Sequence, residues 1–147
     1  MTRPASSYTR SATPRPPVND PLLIGAFFNE LWNVGDLDGL LALYEPDAAI
    51  VDENGSVHRG TAALRAFFTE ILNTKPTIRT LATSVVVNGD LAQSSTHWQI
   101  ETTTPDSNAT CTEGYASELF RKQPDGTWLV VIDNPYGARN LIETEAD

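Results

Sequence analysis

Four ionisable side chains lie in or beside segments whose pattern predicts strands, and each could move a proton to or from a substrate. Asp52 follows a short apolar run, His97 and Glu118 lie within longer predicted strands, and Asp133 follows another apolar run. A carboxyl group in apolar surroundings keeps its proton to a higher pH, and an imidazole exchanges one near neutrality. These residue types predict general acid–base chemistry.

Each of these residues also has a simpler interpretation. Asp52 could instead cap a turn, and Asp133 could mark the end of a strand. His97 could be a strand histidine whose hydrogen bonds are made within the protein, and Glu118 could be exposed to solvent. Asn134 follows Asp133 directly, so either of the two could be the inward-facing residue.

The elements that must position these residues begin with three helices. Asp20, Asp36 and Thr61 can each accept the unpaired amide protons of a helical first turn. Gly35 and Pro46 predict the ends of the first two helices. The third helix must bury one face, because apolar residues recur along it at spacings of three and four: Leu64, Phe67, Phe68, Ile71 and Leu72.

The rest of the chain reads as strands, beginning with a short one at residues 48–51. Asn88-Gly89-Asp90 and Pro124-Asp125-Gly126 are typical of hairpin turns. Four longer strands are predicted at about residues 78–88, 91–103, 110–122 and 127–134. Helices followed by an antiparallel meander indicate a single α+β domain.

Residues 30–68 contain a helix, the words GDLDGLLALY, a D-A-x-x-x-D strand and RGTAALRAFF, in that order, and the last strand reads DGTWLVVIDNPYG. This ordered set resembles the SnoaL-like and ketosteroid-isomerase-like branch of the nuclear transport factor 2 (NTF2-like) superfamily over about residues 20–138. The resemblance implies an NTF2-like cone, in which three N-terminal helices pack on a curved antiparallel sheet around a ligand cavity. The superfamily includes isomerases, cyclases, dehydratases, epoxide hydrolases and non-catalytic proteins, so the fold alone does not fix the function.

The resemblance also assigns roles to particular positions. Asp52 falls on the isomerase's catalytic base, and Glu118 falls on the protonated acid that, with a tyrosine, forms the oxyanion hole. Phe28 replaces that tyrosine, which argues against a true steroid isomerase. In the strand around His97, the resemblance directs Ser95, His97 and Gln99 into the cone, and the opposite face carries Thr96, Trp98 and Ile100.

The function expected from these observations is cofactor-independent proton transfer, of the isomerase or cyclase type, on a hydrophobic oxygenated small molecule. The expected catalytic residues are Asp52, His97, Glu118 and Asp133. The expected ligand-binding residues are Phe28, Trp32, Tyr44, Phe68, Gln99, Asn134 and Tyr136. Two alternatives stay open: a non-catalytic binding or dimerisation module, and water addition like that of epoxide hydrolases, which would need an arginine.

Composition limits the possible partners and location. The chain has 147 residues, a formal net charge of −9 and a pI near 4.5, which disfavours nucleic acid and anionic membranes as partners. A single cysteine, Cys111, and the lack of zinc-type spacing predict a reducing cytoplasm and no metal site. Neither a membrane-length apolar run nor a secretory signal is visible.

The sequence further predicts tails and a dimer. Residues 1–19 are rich in Pro, Ser and Thr and are expected to form a flexible tail, and residues 139–147 are expected to fray. The domain is therefore expected to span residues 20–138. An exposed apolar face bearing Thr96, Trp98 and Ile100 would favour a homodimer.

Overall fold

The computed structural model describes residues 17–141 of the chain, which form three α-helices, six strands and two short 3-10 turns. A 3-10 turn at Pro21–Leu23 leads into the first helix. The helices are α1 (Ile24–Val34), α2 (Leu37–Leu41) and α3 (Thr61–Leu72). The strands are β1 (Tyr44–Val51), β2 (Val57–Arg59), β3 (Thr77–Asn88), β4 (Leu91–Thr103), β5 (Ala109–Lys122) and β6 (Trp128–Asn134), followed by a 3-10 turn at Gly137–Asn140.

Two of the predicted capping residues, and the glycine predicted to end the first helix, have these roles in the structure. The Asp20 carboxylate accepts a hydrogen bond from the Leu22 amide, and the Asp36 carboxylate accepts one from the Gly39 amide. Gly35 ends α1 in the left-handed region, at φ 70°. The third helix differs slightly, because Gly60, at φ 86°, occupies the capping position predicted for Thr61.

The second helix is shorter than predicted because the chain turns into β1 before Pro46. Tyr44 already pairs with Val130 of β6, and the ladder is irregular between Tyr44 and Ala49. Proline cannot donate to a sheet ladder, so it is tolerated in a strand mainly at such irregular positions. Pro46 therefore lies within β1 and does not end a helix.

All six strands form one sheet in the order β2-β1-β6-β5-β4-β3. The β1–β6 pair is parallel, and the other pairs are antiparallel. Two bulges interrupt the antiparallel pairing, with Leu81 as the extra residue of β3 and Val131 as the extra residue of β6. Bulges increase local twist and bend, so the sheet curves around the helices. The predicted α+β architecture, with helices on a curved, mainly antiparallel sheet, is confirmed.

The core lies between the helices and the concave face of the sheet. Its fully buried side chains include Ile24, Leu31, Leu40, Ile50, Leu64, Phe68 and Phe120. Val18 also belongs to this core, and its carbonyl accepts a hydrogen bond from the Trp128 amide at 2.9 Å. The ordered domain thus begins before the predicted boundary at residue 20. The tail predictions for residues 1–16 and 142–147 lie outside the described residues.

Between residues 17 and 141, no helix combines the length and the apolar character needed to cross a membrane.

Candidate functional site

A cavity of about 100 Å³ lies between α1, α3 and the concave face of the sheet. Its wall is dominated by aromatic side chains: Phe28, Trp32, Tyr44, Phe67, Phe68, Trp98 and Tyr136. Two carboxyl groups, those of Glu118 and Asp133, also line it. None of the described residues that line the cavity is a lysine, arginine or histidine. The cavity is therefore an apolar, aromatic space with a local excess of acid.

The two acids are brought together by the pairing of β5 and β6. Glu118 pairs with Asp133 in the antiparallel ladder, and Ser94 of β4 pairs with Glu118 on its other side. Directly paired residues point to the same face of a sheet, with Cβ atoms about 4.5–5.5 Å apart. The two carboxyl groups are consequently neighbours on the cavity wall.

Asp133 is buried, and Tyr44 is its hydrogen-bond partner. The Tyr44 hydroxyl donates to Asp133 Oδ2 at 2.5 Å, and the Asp133 residue is only 8% exposed. Burial raises the pKa of Asp133 from 3.8 to about 6, although the Tyr44 hydrogen bond opposes part of that rise. Burial, and then the neighbouring Asp133 charge, also raise the pKa of Tyr44 well above its ordinary value. Tyr44 therefore stays a hydrogen-bond donor throughout the pH range in which Asp133 titrates.

Glu118 holds its proton more tightly than Asp133. Burial, followed by the negative charge of Asp133, raises the pKa of Glu118 from 4.5 to about 8, while a hydrogen bond with Thr96 acts in the opposite direction. The Thr96 hydroxyl also lies 3.2 Å from that of Ser94. Near neutral pH the pair consequently carries one proton, which Glu118 holds more tightly than Asp133. One group can donate a proton and the other can accept one.

The bulge at Val131 decides which residue of β6 faces the cavity. Trp128 and Val130 are buried, and regular alternation would next bury Ile132 and Asn134. Because Val131 is inserted into the ladder, Asp133 turns inward and Ile132 turns outward. Asn134, expected to bind ligand, does not line the cavity, and its amide lies 3.4 Å from the Gly137 carbonyl oxygen.

The expectation that Asp52 faces the cavity is wrong. Its Oδ1 accepts hydrogen bonds from the Asn54 and Ser56 amides, both at 2.9 Å, and its Oδ2 lies 2.9 Å from His58 Nε2. The His58 hydrogen bond, with help from the two amides, lowers the pKa of Asp52 below 3.8. The Asn54-Gly55 turn captures this carboxylate, as the simpler interpretation predicted, so Asp52 does not line the cavity.

The predicted orientation of β4 is also reversed. His97 lies on the outer face of the sheet, where its ring stacks on Tyr115 with centroids 4.4 Å apart and its Nε2 lies 3.4 Å from the Glu113 carboxylate. Gln99 lies on the same face and accepts a hydrogen bond from Arg79 Nε at 2.7 Å. The cavity is lined instead by Thr96, Trp98 and Ile100. The apolar character of Trp98 and Ile100 was the sequence signal for this orientation, because burying them removes more apolar surface from water.

Five of the expected ligand-binding residues lie on the cavity wall: Phe28, Trp32, Tyr44, Phe68 and Tyr136. Trp98, which sequence reasoning placed on the opposite face, joins them. Its indole donates to the Pro135 carbonyl at 2.7 Å and packs edge-on against Tyr136 at 5.8 Å. Gly114 makes room for this ring, since a Cβ at that position would lie 2.5 Å from it. Trp98 thus joins the end of β6 to the cavity wall.

Comparison with known proteins identifies the fold and the family. Residues 24–131 match the SnoaL-like domain. A Mycobacterium tuberculosis protein of unknown function has a similar structure, with TM-score 0.70, 22% identity, and 77% of this chain and 70% of that chain covered. An NTF2-like superfamily protein from Salmonella enterica gives a TM-score of 0.66 at 19% identity, covering 74% and 82% of the two chains. An NTF2-like protein with a cystatin-like fold from Novosphingobium aromaticivorans gives 0.66 at 19%, covering 76% and 75%.

At these identities the structural similarity establishes the fold alone. The SnoaL-like match covers most of the chain and agrees with the α+β cone and its internal cavity. The protein therefore belongs to the SnoaL-like domain family, and its fold is that of the NTF2-like proteins.

Proposed function

We propose that the protein is a cofactor-independent enzyme of the isomerase or cyclase type that moves a proton on a hydrophobic, oxygenated small molecule. Asp133 is the base and Glu118 is the acid. The observation that carries this proposal is the opposed pair of carboxyl groups inside a mainly apolar cavity. Groups with separated pKa values in one enclosed site are suited to acid–base catalysis near neutral pH.

The reaction begins with removal of a proton from a carbon next to a carbonyl group. The Asp133 carboxylate accepts that proton, and the Glu118 hydroxyl donates its own proton to the oxygen on which negative charge develops. In an isomerisation, the proton held by Asp133 is then returned to a different carbon. In a cyclisation, the enol carbon attacks a second carbonyl group, and the proton held by Asp133 passes to the oxygen of that group. In both cases Glu118 recovers its proton from the enol oxygen. Because Phe28 has no hydroxyl, Glu118 is the donor to the oxygen in this scheme.

Tyr44 has a positioning role. Its hydroxyl fixes one oxygen of Asp133 at 2.5 Å and lowers the pKa of that carboxyl, which keeps Asp133 ionised at neutral pH. The mainly aromatic wall offers few polar groups, so the charge that develops during the reaction must be stabilised by fixed groups such as Glu118.

Solvent deuterium exchange tests the proposal. Small cyclic ketones are incubated with the protein in D2O, and incorporation of deuterium beside the carbonyl is followed by NMR. We expect exchange above the buffer rate, loss of that exchange in Asp133→Asn, and a strongly reduced rate in Glu118→Gln. Asp52→Asn is the matched control, since it makes the same chemical change outside the cavity. Exchange that survives Asp133→Asn, or that Asp52→Asn abolishes, contradicts the assignment.

A second candidate function is non-catalytic binding of a small molecule in the same cavity. It is favoured by the internal partners of the acids, since Tyr44 already donates to Asp133 and Thr96 bonds to Glu118. A saturable ligand that shows no deuterium exchange would support this candidate. Water addition like that of epoxide hydrolases is less favoured, because no described cavity residue is an arginine.

We further propose a cytoplasmic homodimer formed through the outer face of the sheet. Thr96, Trp98 and Ile100, the patch expected to drive dimerisation, line the cavity instead. The outer face carries other exposed apolar residues, namely Val86, Leu91, Tyr115 and Ile132. An apolar patch of this kind suits an isologous contact between two copies. The exposed free thiol of Cys111 is compatible with a reducing cytoplasm.

A further inference from the structure

We infer that the cavity takes a neutral ligand with a single ring and one hydrogen-bond acceptor, such as a cyclic ketone, and excludes polycyclic and carboxylate compounds. The acceptor part of this inference rests on the proposed function, because it assigns Glu118 as the donor. The size and charge parts rest on the cavity alone.

The size of the cavity sets the number of rings. Its volume is about 100 Å³, and an engineered cavity of about 150 Å³ in another protein is filled by benzene. The cavity is smaller than that, so it encloses at most one flat six-membered ring. Four fused rings exceed that limit.

The wall is held by mutual packing. Trp32 is buried, packs against Phe28 and Phe68 with centroids 5.6 and 6.4 Å apart, and donates its indole proton to the Pro76 carbonyl at 3.1 Å. Phe68 is fully buried and also contacts Tyr44 at 5.7 Å. Enlarging the cavity would break several of these contacts together, which is costly in a close-packed interior. The aromatic faces also favour a flat ring.

Charge selects against anionic ligands. Glu118 and Asp133 share the wall, and no described lining residue is a lysine, arginine or histidine that could neutralise a ligand carboxylate. A buried anion without a partner is strongly disfavoured, and the neighbouring Asp133 charge would add repulsion. A neutral carbonyl oxygen can instead accept the proton of Glu118.

The three tryptophans supply a direct binding assay. Trp32 and Trp98 line the cavity, whereas Trp128 is buried outside it and serves as an internal control. In ¹⁵N-labelled protein their three indole signals are followed at neutral pH during addition of cyclohex-2-en-1-one, of the steroid androst-4-ene-3,17-dione, or of cyclohex-1-ene-1-carboxylate. We expect saturable shifts of Trp32 and Trp98 with the cyclic ketone, and at least about tenfold weaker binding of the other two compounds.

Phe28→Ala enlarges the cavity, so it should reduce the ratio between the affinity for the single-ring ketone and the affinity for the steroid. Val34→Ala is the matched control on the same helix, because Val34 is exposed and does not line the cavity. Steroid or carboxylate binding as tight as that of the ketone in the unmodified protein would overturn the inference, as would equal shifts at Trp128. This assay measures binding without turnover. If the protein prefers the single-ring ketone but catalyses no deuterium exchange, only the proposed catalysis is refuted.

Discussion

Glu118 and Asp133 pair directly across β5 and β6, with both carboxyl groups in the same apolar cavity. Two acids in directly opposed positions repel each other when both are ionised, so this arrangement does not favour stability. It is tolerated because the pair holds one proton near neutral pH and because Tyr44 and Thr96 supply hydrogen bonds. Such a local conflict, buried in a cavity, is more typical of a functional site than of a structural core.

The first prediction concerns the pH dependence of catalysis. Asp133 must be ionised to accept a proton and Glu118 must be protonated to donate one, so exchange should rise through a pH of about 6 and fall through about 8. Glu118→Gln should remove the alkaline limb and lower the maximal rate by roughly 10²–10⁴-fold. The measurement is the rate of deuterium exchange into a cyclic ketone across this range. A rate that keeps rising above pH 8 would contradict the role of Glu118.

The second prediction concerns the free energy of unfolding. In the unfolded chain Glu118 titrates near 4.5, whereas in the folded protein its pKa is about 8. Between these values the folded state binds more protons at Glu118, so the contribution of this residue to stability is greatest at low pH and declines as the pH rises. The contribution of Glu118 amounts to about 1.4 kcal/mol for each pH unit within that window, as an upper limit.

Glu118→Gln removes this titration, since glutamine is neutral at every pH. Urea unfolding of both proteins across the window should show the variant gaining stability relative to the unmodified protein as the pH rises from 4.5 towards 8. Glu113→Gln, on the exposed outer face, is the control. If the difference in unfolding free energy between the variant and the unmodified protein is the same at pH 4.5 and at pH 8, Glu118 is ionised in the folded protein and the prediction is wrong.

The same local signals that predict helices and strands do not determine which residues face the cavity. Asp20 and Asp36 act as caps, Gly35 ends a helix, and the predicted long strands agree with the structure within about two residues. Caps and turns depend on a few neighbouring residues, so they can be read from sequence. The short strand β2 lacks such a pattern and was not predicted.

Orientation depends on strand pairing, which is non-local. One inserted residue, Val131, exchanges the faces of Asp133 and Asn134, and its position in the ladder is visible only when β6 is paired with β5. Asp52 illustrates a different difficulty, because the residue aligned with a catalytic base is bound by its own turn. Glu118 required no such correction, since it lies in a regular stretch of the β4–β5 ladder.

The third prediction concerns Tyr44. Tyr44→Phe removes the hydroxyl that donates to Asp133, and the loss of that hydrogen bond should raise the pKa of Asp133 further. The acidic limb of the exchange profile should therefore move to higher pH, and the unfolding free energy should decrease by about 1–3 kcal/mol. Tyr115→Phe, on the outer face, is the matched control. An unmoved acidic limb would show that Asp133 does not govern it.

The last prediction concerns assembly through the outer face of the sheet. Val86 and Ile132 belong to one row of paired residues across four strands, and their side chains are 64% and 42% exposed. If this row is buried between two copies, Val86→Lys introduces an unpaired charge into the contact and should shift the protein from dimer to monomer. Light scattering at micromolar concentration measures this change. Val34→Lys places the same charge on an exposed position of α1, away from the sheet, and should leave the dimer intact. A monomeric unmodified protein, or dissociation by both substitutions alike, would argue against this face as the interface.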